Sequence, residues 1–255
     1  MLKRTSDFKV IRTKSLNEEN FVLDLLCPDK ECNFNPGQFV NVSVEHSKTS
    51  FLRRPISVHD FRKSENILSL FVQIVGDGTR QLSLLSEGDK VSLIYPLGNQ
   101  FSYSESKKPL LIGGGCGVAP LLFLARKMSE TGVKPDILIG ARSLKNILLL
   151  EEYSTFGKVF TITEDGTHGE KGMVTQHSLF ENLKKYDKIF VCGPNAMMKA
   201  IAKVAQLENI NCEVSLENTM ACGIGACLCC VEDTVKGHVC VCTEGPIFNI
   251  KDLKW

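Results

Sequence analysis

The stretch "PLLIGGGCGVAPLLFLARKMSETG" (109–132) decides the fold of the central part of this chain. An apolar run ends in three consecutive glycines, and a second apolar run follows them. This order is typical of a buried strand, a tight turn and a helix. Its glycines allow the backbone to approach a pyrophosphate at the helix N-terminus, and a purely structural turn is the alternative. The candidate dinucleotide-binding residues are Gly113, Gly114, Gly115 and Gly117.

Strand and helix patterns alternate through the rest of this region. "PDILIGA", "KVFTITED" and "KIFVCG" resemble strands, and "NILLLEEYSTFG", "MVTQHSLFENLKKY" and "NAMMKAIAKVAQLEN" resemble helices. The alternation predicts βαβ units and a parallel sheet, which we assign to a nucleotide-binding α/β domain over 102–213. "VCGPNAMM" places Cys192, Gly193 and Pro194 at the carboxyl end of a strand, where such sheets bind ligands. Cys192 is either a small core side chain or a group near the reacting part of a nicotinamide.

The first hundred residues have a different pattern. Short apolar or alternating runs, "FVLDLLC", "QFVNVSV", "PISVHDF", "ILSLFVQIV" and "DKVSLIY", are separated by turn sequences such as "NPGQ", "GDGT" and "PLGN". Strands at this spacing predict a small antiparallel barrel, assigned to residues 1–101. The expected fold class is therefore mixed β and α/β, with a small cysteine-rich segment over 214–255.

Composition excludes several classes of protein. The chain has 255 residues, 43% of them hydrophobic and 23% charged, and a formal net charge of +1. Nothing in this balance indicates a nucleic-acid or membrane-surface partner. The N-terminal residues lack the apolar run of a signal peptide, and the apolar stretch 109–125 is too short and too rich in glycine to span a membrane. We therefore expect a cytoplasmic protein, in which clustered cysteines favour metal or redox chemistry over disulfides.

Six of the eleven cysteines lie between residues 215 and 248. Cys222, Cys227 and Cys230 have the C-x4-C-x2-C spacing of plant-type [2Fe–2S] proteins, which leaves Cys229 outside the pattern. A zinc ribbon more often has two C-x2-C pairs, and a Rieske centre needs two histidines where this segment has one. The spacing leaves the fourth ligand open between Cys240 and Cys242.

The order "RPIS", "GDGT…LS", "GGGCGVAPL" and "CGP" resembles the ferredoxin–NADP reductase type of flavoprotein, over essentially residues 1–214. In that family the barrel holds FAD and the α/β domain holds the nicotinamide nucleotide. The resemblance implies that Arg54 lies at the flavin pyrophosphate. The other implied flavin-binding residues are Pro55, Ile56, Ser57, Phe71, Val72, Gln73, Gly78 and Thr79.

The segment "SLENTMACGIGACLCCV…VCTEGPIF" is similar to one branch of this family, the electron-transfer subunits of class 1B dihydroorotate dehydrogenases. In that branch the cysteine before the acidic–Gly–Pro element completes the [2Fe–2S] ligands, which implies Cys242. The resemblance implies electron transfer from an FMN-containing catalytic subunit through the cluster and FAD to NAD⁺, in pyrimidine (UMP) biosynthesis. It also implies a heterotetramer with two copies of each chain. No side chain is assigned a catalytic acid or base role.

Two alternatives stay open at the level of sequence. One is a reductase subunit of another redox complex, such as a hydrogenase or a ferredoxin-linked enzyme. The other is a non-enzymatic zinc-binding module.

The sequence also favours NAD over NADP. Glu164 and Asp165 follow a predicted strand, where a carboxylate accepts from a ribose hydroxyl and repels a 2′-phosphate. Arg142 weakens this argument because it offers a 2′-phosphate a positive charge. Glu217, just before the cysteine loop, is expected either to face the flavin or to cap a turn, and we favour the turn.

Overall fold

The computed structural model describes residues 2–45, 47 and 49–255. The chain forms two compact units, and its C-terminal segment contributes to both of them. The first unit comprises Met1–Gln100, Asn218–Glu232 and His238–Pro246. The second comprises Phe101–Glu217, Asp233–Gly237 and Ile247–Trp255.

The first unit contains a closed antiparallel barrel, as the sequence predicts. Its strands are hydrogen-bonded in the order β1-β2-β5-β4-β3-β6. The strands are β1 (Arg4–Ser15), β2 (Asn20–Leu26), β3 (Phe39–Val42), β4 (Arg54–Arg62), β5 (Ile67–Gln73) and β6 (Lys90–Leu97). A short helix, α1 (Asp77–Ser83), connects β5 to β6.

Alternating side chains close the barrel around an aromatic centre. Phe8 on β1 and Tyr95 on β6 meet edge to face with ring centroids 4.8 Å apart, and Phe34 packs against the same tyrosine. The sequence patterns did not predict β1, because only Phe8 and Val10 are buried and its other residues are half-buried or exposed. Hydrogen bonding to β2 and β6 stabilises this strand, although its mostly polar composition does not predict one.

The second unit contains the predicted parallel sheet. Its strands are β7 (Pro109–Gly114), β8 (Asp136–Ala141), β9 (Lys158–Thr163), β10 (Glu170–Lys171), β11 (Lys188–Cys192), β12 (Asn211–Ser215) and β15 (Ile247–Asn249). Their order is β10-β9-β8-β7-β11-β12-β15, parallel except where β15 pairs with β12. The strand order reverses between β7 and β11, and open α/β sheets bind ligands at the carboxyl ends of strands at such a switch point.

Helices pack on this sheet through apolar faces. They are α2 (Ala119–Glu130), α3 (Leu150–Ser154) and α4 (Asn195–Leu207). In α4 the buried residues Met198, Ile201, Ala202 and Ala205 recur at helical spacing, so the 3.6-residue period correctly predicts this helix. Phe101 and Phe190 add an edge-to-face pair in the core.

The helix predicted over 173–186 is wrong. The chain forms 3₁₀ turns over Val174–Gln176 and Ser178–Lys185, with non-helical dihedrals at Asn182. His177 has an extended backbone, and its Nδ1 accepts from the Leu179 backbone N–H at 3.0 Å. This bond caps the N-terminus of the second 3₁₀ turn, so the two turns do not form one helix. The helix predicted over 146–157 is also shorter than expected, since only α3 is α-helical there.

The cysteine-rich segment adds a two-stranded sheet and a short helix. These elements are β13 (Val231–Thr234), β14 (Gly237–Cys240) and α5 (Val241–Glu244). Across the part of the chain that the structure describes, no helix combines the length and the apolar character needed to span a bilayer.

Candidate cofactor sites

The flavin motif lies on β4, where Arg54, Pro55, Ile56 and Ser57 are all half-buried. Arg54 Nη2 donates to Ser50 Oγ at 2.8 Å, and Nη1 donates to the Leu52 carbonyl at 3.0 Å. A β-carbon on Gly78 would lie 3.3 Å from both Arg54 Nε and Ser50 Oγ. The fold thus brings Arg54 and Gly78 together from positions that are separate in sequence. Ser50 completes the group, and no sequence signal identified it.

The adjacent Arg53 has a different environment. Its Nη1 donates to the backbone carbonyls of Ser92 at 2.8 Å and Asn41 at 3.3 Å, and Nη2 donates to Ser92 Oγ at 3.0 Å. Arg53 therefore fastens β3 and β6 in the barrel wall, whereas Arg54 faces the glycine of α1.

The "GDGT" loop is held by its own side chains. Thr79 is buried, and its Oγ1 accepts from the backbone N–H groups of Val75 at 2.9 Å and Gly76 at 3.3 Å. The hydroxyl of this implied flavin-binding residue therefore shapes the turn. Asp77 accepts from Ser47 Oγ at 2.6 Å, and this bond is the main reason that the Asp77 pKa is lowered to about 2.

The implied flavin-binding residues on β5 are mostly internal. Phe71 and Val72 are buried on β5, and Gln73 is half-buried. Among these three, Gln73 is therefore the residue whose side chain reaches the barrel surface.

The nucleotide motifs meet at the switch point of the parallel sheet. A β-carbon on Gly117 would lie 2.5 Å from the Cys192 carbonyl oxygen and from the Gly193 nitrogen and Cα. A β-carbon on Gly114 would lie 3.1 Å from Pro194 Cδ. The loops after β7 and β11 therefore touch through backbone, and Gly115, with φ +55°, is exposed beside them. All seven candidate nucleotide residues lie at this edge.

Cys192 is fully buried at the end of β11, and its Sγ lies 3.8 Å from Glu217 Oε1. Burial raises the pKa of the Cys192 thiol well above its usual value, and the nearby Glu217 charge raises it further. Burial also raises the pKa of Cys116 in the glycine loop to about 11. Both thiols therefore stay protonated at neutral pH.

Glu164 and Asp165 are exposed at the end of β9, beside Arg142. The backbone N–H of Asp165 donates to the Arg142 carbonyl at 3.3 Å. The Asp165 carboxylate accepts from Thr167 Oγ1 at 2.7 Å and from its N–H at 3.0 Å, and these bonds lower its pKa. Asp165 is thus ionised, and its carboxylate is committed to its own turn.

The cysteine loop directs backbone N–H groups at sulfur. Cys222 Sγ accepts from the N–H groups of Ala226 at 3.3 Å, Cys227 at 3.4 Å and Ile224 at 3.5 Å. These hydrogen bonds, with the one from the Ile224 N–H as the main cause, lower the pKa of Cys222 to about 6. Gly223, with φ +70°, permits the tight turn that aims them.

The four predicted ligands form two pairs. Cys222 Sγ accepts from the Cys227 N–H at 3.4 Å, and Cys230 Sγ accepts from the Cys242 N–H at 3.4 Å. Within residues 2–45, 47 and 49–255, no three or more His, Cys, Asp or Glu side chains surround one metal position. A [2Fe–2S] cluster needs two ligands on each iron, so two thiol pairs suit it better than a single zinc ion.

Burial separates the extra thiols from only one of the two pairs. Cys230 and Cys242 are buried, whereas Cys227 is exposed like Cys229, and Cys222 is half-buried like Cys240. Burial is also the main reason that the Cys242 pKa is raised to about 12. The donor set fits the cluster with Cys229 as a bystander.

A barrel with an arginine at its glycine loop, a sheet with glycines at its switch point and a loop of paired thiols together define a flavin- and nicotinamide-dependent electron-transfer protein. Comparison with solved structures agrees. One match is the NADH-dependent reduced ferredoxin–NADP oxidoreductase, whose structure was determined to study flavin-based electron bifurcation. Its TM-score is 0.86 and its sequence identity is 27%, over 97% of this chain and 90% of the other. The ferredoxin reductase of carbazole 1,9a-dioxygenase matches in fold, with a TM-score of 0.71 and 20% identity, over 82% and 67% of the two chains.

Sequence comparison is more specific. Residues 217–254 match the iron–sulfur cluster binding domain of dihydroorotate dehydrogenase B, and residues 111–203 match the oxidoreductase NAD-binding domain. The electron transfer subunit of dihydroorotate dehydrogenase B (NAD⁺) from Caldanaerobacter subterraneus is 39% identical, over 86% of this chain and 87% of its own. That from Fusobacterium nucleatum is 36% identical over 88% of each chain, and that from Desulforamulus reducens is 33% identical over the whole of each.

The chain belongs to the family of dihydroorotate dehydrogenase B electron transfer subunits. The predicted family and fold class are confirmed, and so are the predicted cofactors, FAD, NAD and a [2Fe–2S] cluster. The chain is an oxidoreductase subunit.

Proposed function

We propose that this chain transfers electrons from a dihydroorotate-oxidising subunit to NAD⁺ in pyrimidine biosynthesis. The observation that carries the proposal is the paired-thiol loop, which coincides with the cluster-binding match at 217–254. When bound, the flavin supplies the ability to accept electrons singly and release them as a pair.

The residues of the chain bind and orient the cofactors. Arg54 and Gly78 form the proposed pyrophosphate contact of FAD, with Gln73 at its edge. The touching loops at Gly117 and Gly193 form the proposed nucleotide site. The Cys192 thiol at the end of β11 is fully buried and keeps its proton, because burial raises its pKa.

We assign Cys222, Cys227, Cys230 and Cys242 as the cluster ligands, divided between the two irons in the pairs described above. Single serine substitutions of these four residues are expected to abolish the [2Fe–2S] signal in electron paramagnetic resonance and to lower the iron content. Cys229→Ser and Cys240→Ser are the matched controls within the same loop. Loss of the cluster in Cys240→Ser, with retention in Cys242→Ser, would reassign the fourth ligand.

The proposed partner is an FMN-containing catalytic subunit, in a heterotetramer of two copies of each chain. Exposed apolar side chains around the ligand loop support docking there, since Leu228 is 64% and Ile224 44% exposed. We place the complex in the cytoplasm, where a reducing environment keeps the ligand thiols available. Three functional segments are proposed within the chain: a flavin segment (1–101), a nucleotide segment (102–213) and a cluster segment (214–255).

Anaerobic co-expression with the FMN-containing dihydroorotate dehydrogenase tests the function. We expect a stable complex that forms NADH from dihydroorotate, with no NADH formed by either chain alone. Mass photometry of the complex tests the two-plus-two stoichiometry. A chain that forms no complex but oxidises NADH with an artificial acceptor would refute the pyrimidine assignment while keeping the flavin and nucleotide sites.

A second candidate is a ferredoxin-linked reductase subunit. The match to the NADH-dependent reduced ferredoxin–NADP oxidoreductase favours it, since that structure is similar over 97% of this chain. Reduced ferredoxin in place of dihydroorotate in the same assay distinguishes the two functions.

A further inference from the structure

Asn41 occupies an unusual position in the barrel. It is 1% exposed on β3, and its backbone pairs with Pro55 of the flavin motif on β4. Arg53 fixes this backbone from the other side, since Nη1 donates to the Asn41 carbonyl at 3.3 Å. Neither the sequence motifs nor the proposed function assigns Asn41 a role.

The Asn41 side chain reaches the cysteine loop. Its Nδ2 donates to the Cys222 carbonyl oxygen at 3.1 Å, across 181 residues of sequence. The approach is close, because a β-carbon on Gly223 would lie 2.9 Å from Asn41 Nδ2. Turning the amide would place Oδ1 against the Cys222 oxygen, and two acceptors repel, so this bond fixes the orientation.

The other end of the amide is without a hydrogen bond. Asn41 Oδ1 is buried and has no partner among the described residues. Leaving a buried acceptor unpaired destabilises the folded chain, and leucine would fill similar space without that penalty. Local rules are broken in this way mainly at functional sites. Among the described residues, the bond to Cys222 is the one benefit of the amide that the structure shows.

We propose that Asn41 is a positioning residue that sets the reduction potential of the [2Fe–2S] cluster by holding the Cys222 carbonyl. The inference rests on the proposed assignment of Cys222 as a ligand. The held carbonyl fixes the turn in which the N–H groups of Ile224, Ala226 and Cys227 point at Cys222 Sγ. Hydrogen bonds to cluster sulfurs favour the reduced cluster, so loosening this turn lowers the potential.

Asn41→Leu and Asn41→Asp test this role. Leucine removes the donor without adding charge, and aspartate keeps the shape but turns the donor into an acceptor. Asn66→Asp is the matched control: Asn66 also has a buried, unpartnered Oδ1, and its Nδ2 donates to the carbonyls of Cys27 and Asp29, not to the cluster loop.

The readout is the cluster midpoint potential in the holoprotein, from a redox titration followed by electron paramagnetic resonance. We expect Asn41→Leu to shift the reduced-to-oxidised ratio about tenfold toward the oxidised cluster, which is ~59 mV for a one-electron couple. Asn41→Asp shifts it further, and the FAD potential stays unchanged in both. Asn66→Asp leaves both potentials unchanged.

Two further results have defined meanings. Loss of the cluster from Asn41→Leu with FAD retained supports the proposal, whereas loss of both cofactors overturns it, because Asn41 then serves the whole barrel. A wild-type cluster potential in Asn41→Leu also overturns it. Cys222→Ser separates the two levels of inference: if it keeps the cluster, the ligand assignment itself is wrong.

Discussion

Replacing Gly117 by alanine tests how the two nucleotide loops are built. The new β-carbon would lie 2.5 Å from the Cys192 oxygen and from two backbone atoms of Gly193, where ordinary contacts begin at 3.4 Å. The neighbours are backbone atoms, so no side chain can rotate away. The loops after β7 and β11 must therefore separate by about 0.9 Å, the difference between these two distances.

The expected effects have two magnitudes. Overpacking of this kind lowers the free energy of unfolding by about 1–3 kcal/mol. Misplacement of a binding loop by about 1 Å weakens function by up to ~10²-fold, so we expect NADH affinity to fall at least tenfold. Urea denaturation measures the first effect and fluorescence titration with NADH the second. FAD content and the cluster signal are expected to stay at wild-type levels, because those sites belong to the first unit.

Gly132→Ala is the control. Gly132 has a positive φ, +85°, and a β-carbon there meets nothing within 4 Å. We expect a loss of about 1 kcal/mol from backbone strain and no change in NADH affinity. A Gly117→Ala chain with wild-type stability and NADH affinity would refute the idea that backbone contact between the loops forms the site.

Three further predictions address other parts of the chain. Arg54→Lys is expected to weaken FAD retention by about tenfold or more, because a charged hydrogen bond contributes ~1.5–3 kcal/mol. Arg53→Lys is the control and is expected to lower barrel stability with a smaller effect on FAD. The fluorescence of FAD released on dilution compares the two variants. Glu213→Gln leaves the buried Lys188, 2.7 Å away, without its counter-ion. The free energy of unfolding, measured by urea denaturation, is expected to fall by about 3–5 kcal/mol. Equal stability of the variant and the wild type would contradict a buried ion pair. Burial raises the Cys212 pKa to about 12, so its stabilising contribution is complete below the unfolded pKa of ~8.5 and is lost as pH rises toward 12. Above pH ~9, the free energy of unfolding of Cys212→Ala should therefore fall less steeply with pH than that of the wild type, by ~1.4 kcal/mol per pH unit. Parallel stability–pH curves for the variant and the wild type would rule this out.

Local patterns predicted the elements whose burial is regular. Helix α4 shows its period in four buried residues, and the glycine run at 113–117 marks the turn after β7. The prediction failed at 173–186, where a helical pattern of apolar residues is interrupted at His177 by a side-chain hydrogen bond to Leu179. It also missed β1, whose mostly polar residues become a strand through pairing with its neighbours.

By itself, the sequence determined which chemistry the chain carries. The C-x4-C-x2-C spacing, the glycine turn and the arginine motif are local, because cofactor groups require particular residue types at short separations. The tertiary structure decided which residues share a site. It distinguished Arg54 from Arg53, paired Cys222 with Cys227, and joined Asn41 to the Cys222 carbonyl. Such contacts depend on strand order and on the packing of segments far apart in the chain, and a short sequence pattern encodes neither of these.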